Sequence, residues 1–296
     1  MAATLRVGFI GLGFMGTPMA LNLARRFPLT VWNRSPGKYS VLKESGASIV
    51  ETPAKVLEAS DITFLMLFNS SAITSILSVE FKRALRGKIL VNTGSVEVEF
   101  SKSLAQEVQE AGGDYVEMPV SGSKVPAEQG QLVGMMAGDP EVAERIRPYV
   151  EPLTCSAIYC GPVGSGLKAK YAINTLLITL TVGLSESINL ARAQGLDLAT
   201  FKNVLDACPM ASPYSKIKVN KILNEDWAPQ AALKDCYNST QLIEAAAASA
   251  NTKSPLISIC SQLYKEALEA GLGEEDMISV LKVVGRSSGR GGSNHP

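Results

Sequence analysis

Two lysines and an asparagine at the head of one apolar segment are the residues best suited to proton chemistry in this chain. The stretch GPVGSGLKAKYAIN, Gly161 to Asn174, runs from a glycine-rich turn into a helical pattern. Lys168 and Lys170 stand two residues apart, about 200° around a helix, and so cannot share a face. Lys170 and Asn174, four apart, can. A lysine drawn out of water loses part of its hold on the proton and can act as acid or base near neutral pH. A lysine at a helix start can equally snorkel to solvent, the reading given to Lys168. Imidazole chemistry is set aside by composition, because the only histidine is His295 in the tail GRSSGRGGSNHP. That removes Ser-His-Asp, Cys-His and HExxH zinc schemes from the folded part, and no metal is expected. Cysteines 155, 160, 208, 236 and 260 are scattered without a CxxC, which suits free thiols in a reducing compartment.

A second constellation is VGFIGLGFMGTPMALNL. Gly11-x-Gly13-x-x-Gly16 follows a strand pattern directly and opens a helix. In that context the first glycine permits the tight turn, the second lets a pyrophosphate approach the backbone, and the third lets helix and strand close on each other. Leu12, Phe14 and Met15 complete the loop, and the helix start beyond it supplies amide donors and partial positive charge. The next strand ends at VWNRSP, where an NAD site usually carries Asp or Glu for the ribose 2′-hydroxyl. Asn33, Arg34 and Ser35 stand there instead. A guanidinium can stack on and grip a 2′-phosphate that a carboxylate would repel. The expected cofactor is therefore NADP(H).

These groups need elements to hold them. LRVGFIGLG, LTVWNR, DITFLML, KILVNTG, DYVEMPV, QLVGMMAGD and SAIYCGP read as strands, with PMALNLARRF, SAITSILSVEFKRAL and VEFSKSLAQEVQEAG as helices. Such alternation implies crossover units and a mostly parallel sheet. After Gly161-Pro162 only helical patterns follow. The first runs from about Gly166 to Gln194 with Gly195 as its stop. LATFKNVLDAC, YSKIKVNKIL, ALKDCYNSTQLIEAAAASA, PLISICSQLYKEALEAG and EEDMISVLKVVG come after it. We therefore expect an α/β N-terminal Rossmann-type dinucleotide-binding domain over residues 1–162, an all-α C-terminal domain over 163–285 and a disordered tail over 286–296.

Basic and acidic residues balance at 28 each, and no basic block of five or six residues occurs, so no field draws nucleic acid or an anionic membrane. The longest apolar run, Tyr171 to Leu184, is broken by Asn174 and threonines and reads as too short and too polar for a bilayer span. MAATLRVGFIGLG passes almost directly into a strand, with no signal peptide or Arg-rich transit segment, so the expected location is cytoplasmic.

Four stretches in order, GFIGLGFMGTPMALNL, PVSGSKVPAEQGQL, GPVGSGLKAKYAIN and LKD, together resemble the β-hydroxyacid dehydrogenase family. Within it, WNRS and PVSGSKVPAEQGQL followed by AGD are most similar to glyoxylate and succinic semialdehyde reductases. The resemblance runs from about residue 5 to 285. It implies an active site in the cleft between the domains, hydride transfer between NADP(H) and a short aldehyde or hydroxy acid, and a homodimer or homotetramer formed through the helical domain. The register of GxGxxxKxxN, set by Gly164 and Gly166, implies Lys170 as proton donor and Asn174 as hydrogen-bond partner of Lys170 or of the substrate oxygen. Ser121, Gly122 and Ser123 match the family's substrate-anchoring segment. Their hydroxyl and backbone amides could hold a carboxylate, although loop serines also satisfy local backbone groups. Hydroxyisobutyrate-type dehydrogenases more often carry Gly at the Ser123 position, which leans towards the semialdehyde branch. Ser95, in VNTGSVE, matches a hydroxyl near nicotinamide and substrate; followed by Glu97 and Glu99 it equally suits a helix N-cap. By position Lys234 contacts the cofactor, Asp235 the substrate region, and Trp227 supplies an apolar wall. Asp235 is alternatively an acid placed favourably at a helix start.

The nearest rival is a 3-hydroxyisobutyrate-type dehydrogenase working in oxidation, against which Arg34 counts. Imine-reducing relatives usually lack the lysine at position 170. Leu167 and the lone tail histidine speak against a 6-phosphogluconate dehydrogenase. A non-catalytic binding module on the dinucleotide fold would be marked by a lost proton donor or a broken glycine loop, and neither occurs.

Overall fold

The computed structural model describes residues 5–285, so the expected tail and His295 lie outside the described residues. The chain divides into two compact units, Met1–Ala172 and Ile173–Pro296. The division falls within the helix Ser165–Ala193, beyond the Gly161-Pro162 turn where the sequence pattern changes.

Among the described residues the first unit holds one nine-stranded sheet. Its strands are β1 (Val7–Ile10), β2 (Leu29–Trp32), β3 (Ser48–Ile49), β4 (Ile62–Leu65), β5 (Ile89–Asn92), β6 (Asp114–Glu117), β7 (Val120–Ser121), β8 (Leu132–Gly138) and β9 (Thr154–Gly161). The parallel part has the order β3-β2-β1-β4-β5-β6. β8 pairs antiparallel with β6 and β7, and β9 lies parallel to β8. The order reverses between β1 and β4, where a doubly wound sheet opens a ligand crevice beyond the C-terminal ends of its strands. β1, β4 and β5 are buried throughout, as strands covered on both faces must be. Phe9, Val31, Phe64 and Val91 join Met19 and Leu23 of the helix Gly16–Ala24 in one core. β3 and β7 have two residues each, too few to carry a readable period.

Two expected helices take a different form. SAITSILSVEFKRAL is split into Ser70–Thr74 and Val79–Ala84. Ser78 separates them: its Oγ accepts from the Phe81 amide at 3.2 Å, which starts a new helix. EEDMISVLKVVG is a 3₁₀ turn, Met277–Val280, leading into Leu281–Val284. The helix Pro140–Val150, capped by Asp139, has no counterpart among the expected elements.

The second unit packs the remainder of the long helix with Leu198–Ala207, Pro213–Leu223, Leu233–Ser249 and Pro255–Glu269. Leu184, Ile188, Val219, Ile222, Ile278 and Leu281 form an apolar cluster. Asp276 accepts from the Gln230 amide at 2.9 Å, the Ile278 amide at 3.1 Å and Lys218 Nζ at 2.7 Å. Both side chains of this ion pair are buried, 3% and 0% exposed. A lysine within the polar-looking YSKIKVNKIL is thus internal.

At 29 residues the Ser165–Ala193 helix is long and apolar enough to cross a membrane by length and composition alone, which corrects the expectation of a run too short for one. One side of it is internal, with Leu167, Tyr171, Ile178 and Ile188 buried beside the polar Asn174, Thr181 and Ser185, while Ile173, Leu176 and Leu180 are exposed.

Candidate active site

The glycine loop is built at the C-terminal end of β1. A Cβ on Gly11 would come within 2.2 Å of the Met66 carbonyl oxygen, and one on Gly16 within 1.9 Å of the Gly11 carbonyl oxygen. A Cβ on Gly13 would meet nothing within 4 Å. The first and third glycines therefore close the turn, and the second leaves the backbone open, which is what a bound pyrophosphate requires. Met15, at the N-cap of the helix Gly16–Ala24, contributes no side-chain acceptor. The orphan amides of that helix start are available to an anion. Phe14 is exposed, and Lys124 Nζ lies 5.4 Å from its ring centroid.

Asn33, Arg34 and Ser35 follow β2. The Asn33 carboxamide oxygen accepts from the Leu12 amide at 2.9 Å and its nitrogen donates to the Ser35 carbonyl at 2.7 Å. Its backbone N–H donates to the Tyr39 hydroxyl at 2.9 Å, and that hydroxyl donates to the Asn33 carbonyl at 2.7 Å. Asn33 thus braces the loop through its side chain and backbone alike, while Arg34 and Ser35 are exposed.

Ser95 lies in the segment after β5. The next helix begins at Val98 with Glu97 in the N-cap position, so the capping alternative for Ser95 is corrected. Ser121 ends β7 and leads through Gly122 to Ser123. Gly122 has φ +132°, a region that disfavours other residues, and a Cβ there would come within 2.6 Å of Leu132 Cδ2.

The long helix starts against the end of β6. Glu117, fully buried, takes the Gly164, Gly166 and Leu167 amides on Oε1 at 2.8, 2.9 and 3.2 Å. Its Oε2 accepts from Ser101 Oγ at 2.6 Å, and Ser101 Oγ is 2.8 Å from the Tyr115 hydroxyl. Burial pushes the Glu117 carboxyl above its ordinary value, and the Ser101 and backbone donors pull the other way. The Tyr171 hydroxyl donates to the Val96 carbonyl, which joins the helix to the segment carrying Ser95. Lys168 is exposed and Lys170 half-buried.

In the second unit Asn174 is buried. Its Nδ2 lies 3.5 Å from Ser239 Oγ, and its Oδ1 has no hydrogen-bond partner among the described residues. Ser239 donates to the Asp235 carbonyl at 3.0 Å, one turn earlier on the helix Leu233–Ser249. Asp235 occupies the first turn of that helix, as its helix-start reading requires. Burial raises its carboxyl, and Lys234 opposes the rise. Lys234 is ion-paired with Glu274 at 2.5 Å. Trp227 packs on the apolar cluster of this unit, with Lys282 Nζ 4.2 Å from its ring centroid.

Comparison with known proteins bears on this arrangement. Residues 6–161 match a family model described as the NAD binding domain of 6-phosphogluconate dehydrogenase. Residues 164–284 match one described as NAD-binding of NADP-dependent 3-hydroxyisobutyrate dehydrogenase. The chain is 33% identical over 284 residues to glyoxylate/succinic semialdehyde reductase 1 of Arabidopsis thaliana, covering 95% of this chain and 98% of that one. The chain belongs to the 3-hydroxyisobutyrate dehydrogenase family. It is also 30% identical to 2-hydroxy-3-oxopropionate reductase of Escherichia coli (strain K12), covering 95% of this chain and 97% of that one. The solved structure of Psf3 in complex with NADP+ and 2-OPP aligns with a TM-score of 0.86 at 25% identity, covering 94% of this chain and 99% of that one.

As a β-hydroxyacid dehydrogenase, the protein is an NAD(P)-dependent oxidoreductase, and the open glycine loop fits its nicotinamide dinucleotide. Glu117, Tyr171 and Ser239 are not among the residues that the sequence reading singles out. Glu117 had one available signal: it is a lone acid in the apolar strand pattern DYVEMPV, where an unpaired carboxylate would be costly.

Proposed function

We propose that this β-hydroxyacid dehydrogenase reduces a small carboxylated aldehyde, such as glyoxylate or succinic semialdehyde, with NADPH, and that Lys170 donates the proton. The observation that carries the reading is the register of the Ser165–Ala193 helix. Lys168 is exposed and Lys170 half-buried, and the Lys170 face continues four residues on to the buried Asn174 with its unpartnered carboxamide oxygen. Bound NADPH supplies hydride to the carbonyl carbon. An ammonium at Lys170 stabilises the charge growing on the carbonyl oxygen and then quenches it with a proton. In the oxidative direction the neutral amine receives the hydroxyl proton. Asn174 holds the amine or the reacting oxygen, with Ser95 and Asp235 beside the substrate. The Ser121 hydroxyl and the Gly122 and Ser123 amides take the substrate carboxylate. Arg34 takes the 2′-phosphate, Asn33 holds the loop in shape, and Lys234 serves the cofactor. The similarity to reductases of glyoxylate and of 2-hydroxy-3-oxopropionate supports a carboxylated aldehyde as substrate class. Ile173, Leu176 and Leu180 leave an exposed apolar stripe on the second unit, which supports a homo-oligomer.

The test is NADPH oxidation with glyoxylate, succinic semialdehyde, methylmalonate semialdehyde and a cyclic imine, together with NAD reduction by 3-hydroxyisobutyrate. Turnover of one of the first two aldehydes is expected. Preference for oxidation with NAD would replace the reading with the oxidative dehydrogenase. Turnover of the imine alone would replace it with imine reduction. No turnover from folded, cofactor-binding protein would favour a binding module.

A further inference from the structure

The start of the Lys170 helix is held by an acid from another element. A helix leaves its first amides without internal partners. Here the amides of Gly166 and Leu167, with that of Gly164 in the preceding turn, converge on the single oxygen Oε1 of Glu117, at the end of β6. Negative charge at this end of a helix is also favoured by the backbone dipoles. The second oxygen is fixed by Ser101, which in turn meets Tyr115, so the carboxylate is held at both ends. Gly166 lies so close to β8 that a Cβ would come within 2.4 Å of the Met135 carbonyl oxygen. One turn on, Tyr171 is tied to the Val96 carbonyl. The anion site that a helix start following a glycine turn would offer a ligand is therefore filled by the protein's own side chain.

We infer that Glu117 is the positioning residue for Lys170: by gathering the Gly164, Gly166 and Leu167 amides, it sets the depth and rotation of the helix where Lys170 leaves it. The inference rests on the reading of Lys170 as proton donor. It concerns acceptor geometry more than charge. Glutamine presents the same oxygen to the amides, and its NH₂ donates to Ser101, whose hydroxyl can then donate to Tyr115. Aspartate withdraws the oxygen by one methylene. Alanine leaves buried amides without an acceptor, a costly state.

The experiment compares E117Q, E117D, E117A and K170A with wild-type enzyme, using glyoxylate and NADPH. It reads kcat, KM, NADPH affinity and the isotope effect with NADPH deuterated at the transferred position. Hydrogen exchange at the 164–167 amides is followed in parallel without substrate. E117Q is expected to stay close to wild type in every readout. E117A is expected to lose kcat on the order of 10²-fold, as for an ångström-scale misplacement of a reacting group. Its isotope effect should rise, its NADPH affinity should hold and its 164–167 amides should exchange faster; E117D should fall between. If E117A does not fold, E117D and E117Q carry the same comparison. E117A with near wild-type kcat would overturn the inference. So would E117Q as damaged as E117A, or a loss of kcat with no change in isotope effect or exchange, since that reports only a smaller folded fraction. K170A with wild-type kcat would instead remove the underlying reading. K170A inactive beside an active E117A would remove the positioning role alone.

Discussion

The carboxamide oxygen of Asn33 accepts the backbone N–H of Leu12 at 2.9 Å, so the turn after β2 and the glycine loop after β1 are braced by one side chain. Arg34, the next residue, is exposed. On the proposed reading, adjacent residues divide the work, Asn33 holding the loop in shape and Arg34 selecting the cofactor. Asn33→Ala should weaken NADPH and NADH alike by roughly fivefold, the worth of one net hydrogen bond. Arg34→Ala should weaken NADPH by about ten- to a hundredfold and leave NADH nearly unchanged, since only the 2′-phosphate loses a charged partner. Fluorescence titration of both cofactors checks this; equal losses for Arg34→Ala would sink the NADPH assignment.

Lys170→Ala should lower kcat by about 10²- to 10⁴-fold, the range for a lost general acid. NADPH binding and the folded state should persist. Lys168→Ala, on the exposed side of the same turn, should leave kcat near wild type. Steady-state kinetics of the two variants, side by side, decide the matter.

The Lys218–Asp276 pair tests the core of the second unit. Asp276→Ala should cost about 3–5 kcal/mol, because it strands a buried ammonium. It also strands the Gln230 and Ile278 amides. Lys218→Met should cost less, since Asp276 keeps both of those donors and the new side chain packs as an apolar group. Urea unfolding gives both values, and the reverse order would count against this account.

Glu117 should leave a mark on stability against pH. Its carboxyl is raised above 4.5 by burial, so the folded protein keeps a proton that the unfolded chain has released. That contribution is fully present below about pH 4.5 and is lost as pH rises through the folded value. E117Q cannot titrate at this position. Its unfolding free energy relative to wild type should therefore improve as pH increases across that window. Urea midpoints measured at several pH values would show this, and a constant difference would refute it.

Much of the architecture was legible because it rests on local periods. β1, β4 and β5 are short, mostly apolar runs, and GxGxxG between a strand and a helix marks a dinucleotide-binding turn. That Lys168 and Lys170 lie on different faces follows from helical geometry; that Lys170 is the one that matters came from the family register. What was illegible depends on contacts distant in sequence or on single polar atoms. No local pattern says that Glu117 will meet amides forty-seven residues later. Ser78 reads as an ordinary helix residue until its hydroxyl caps Phe81. Lys218 and Asp276, 58 residues apart, each look like solvated charges until they are seen together. Likewise the change of pattern at Pro162 marks where strands end, and the compact units divide ten residues later, at Ala172.

That division has a practical consequence for recombining relatives. Lys170 belongs to the first unit and Asn174 to the second, yet one unbroken helix carries both. No exposed linker is available as a splice point between them. A single residue inserted or deleted in the three-residue interval would turn Asn174 by about 100° relative to Lys170. On the proposed pairing of Lys170 with Asn174, chimeras must therefore be joined in helical phase, and a library of junctions across 171–173 is expected to sort into working and silent enzymes by the phase of the helix.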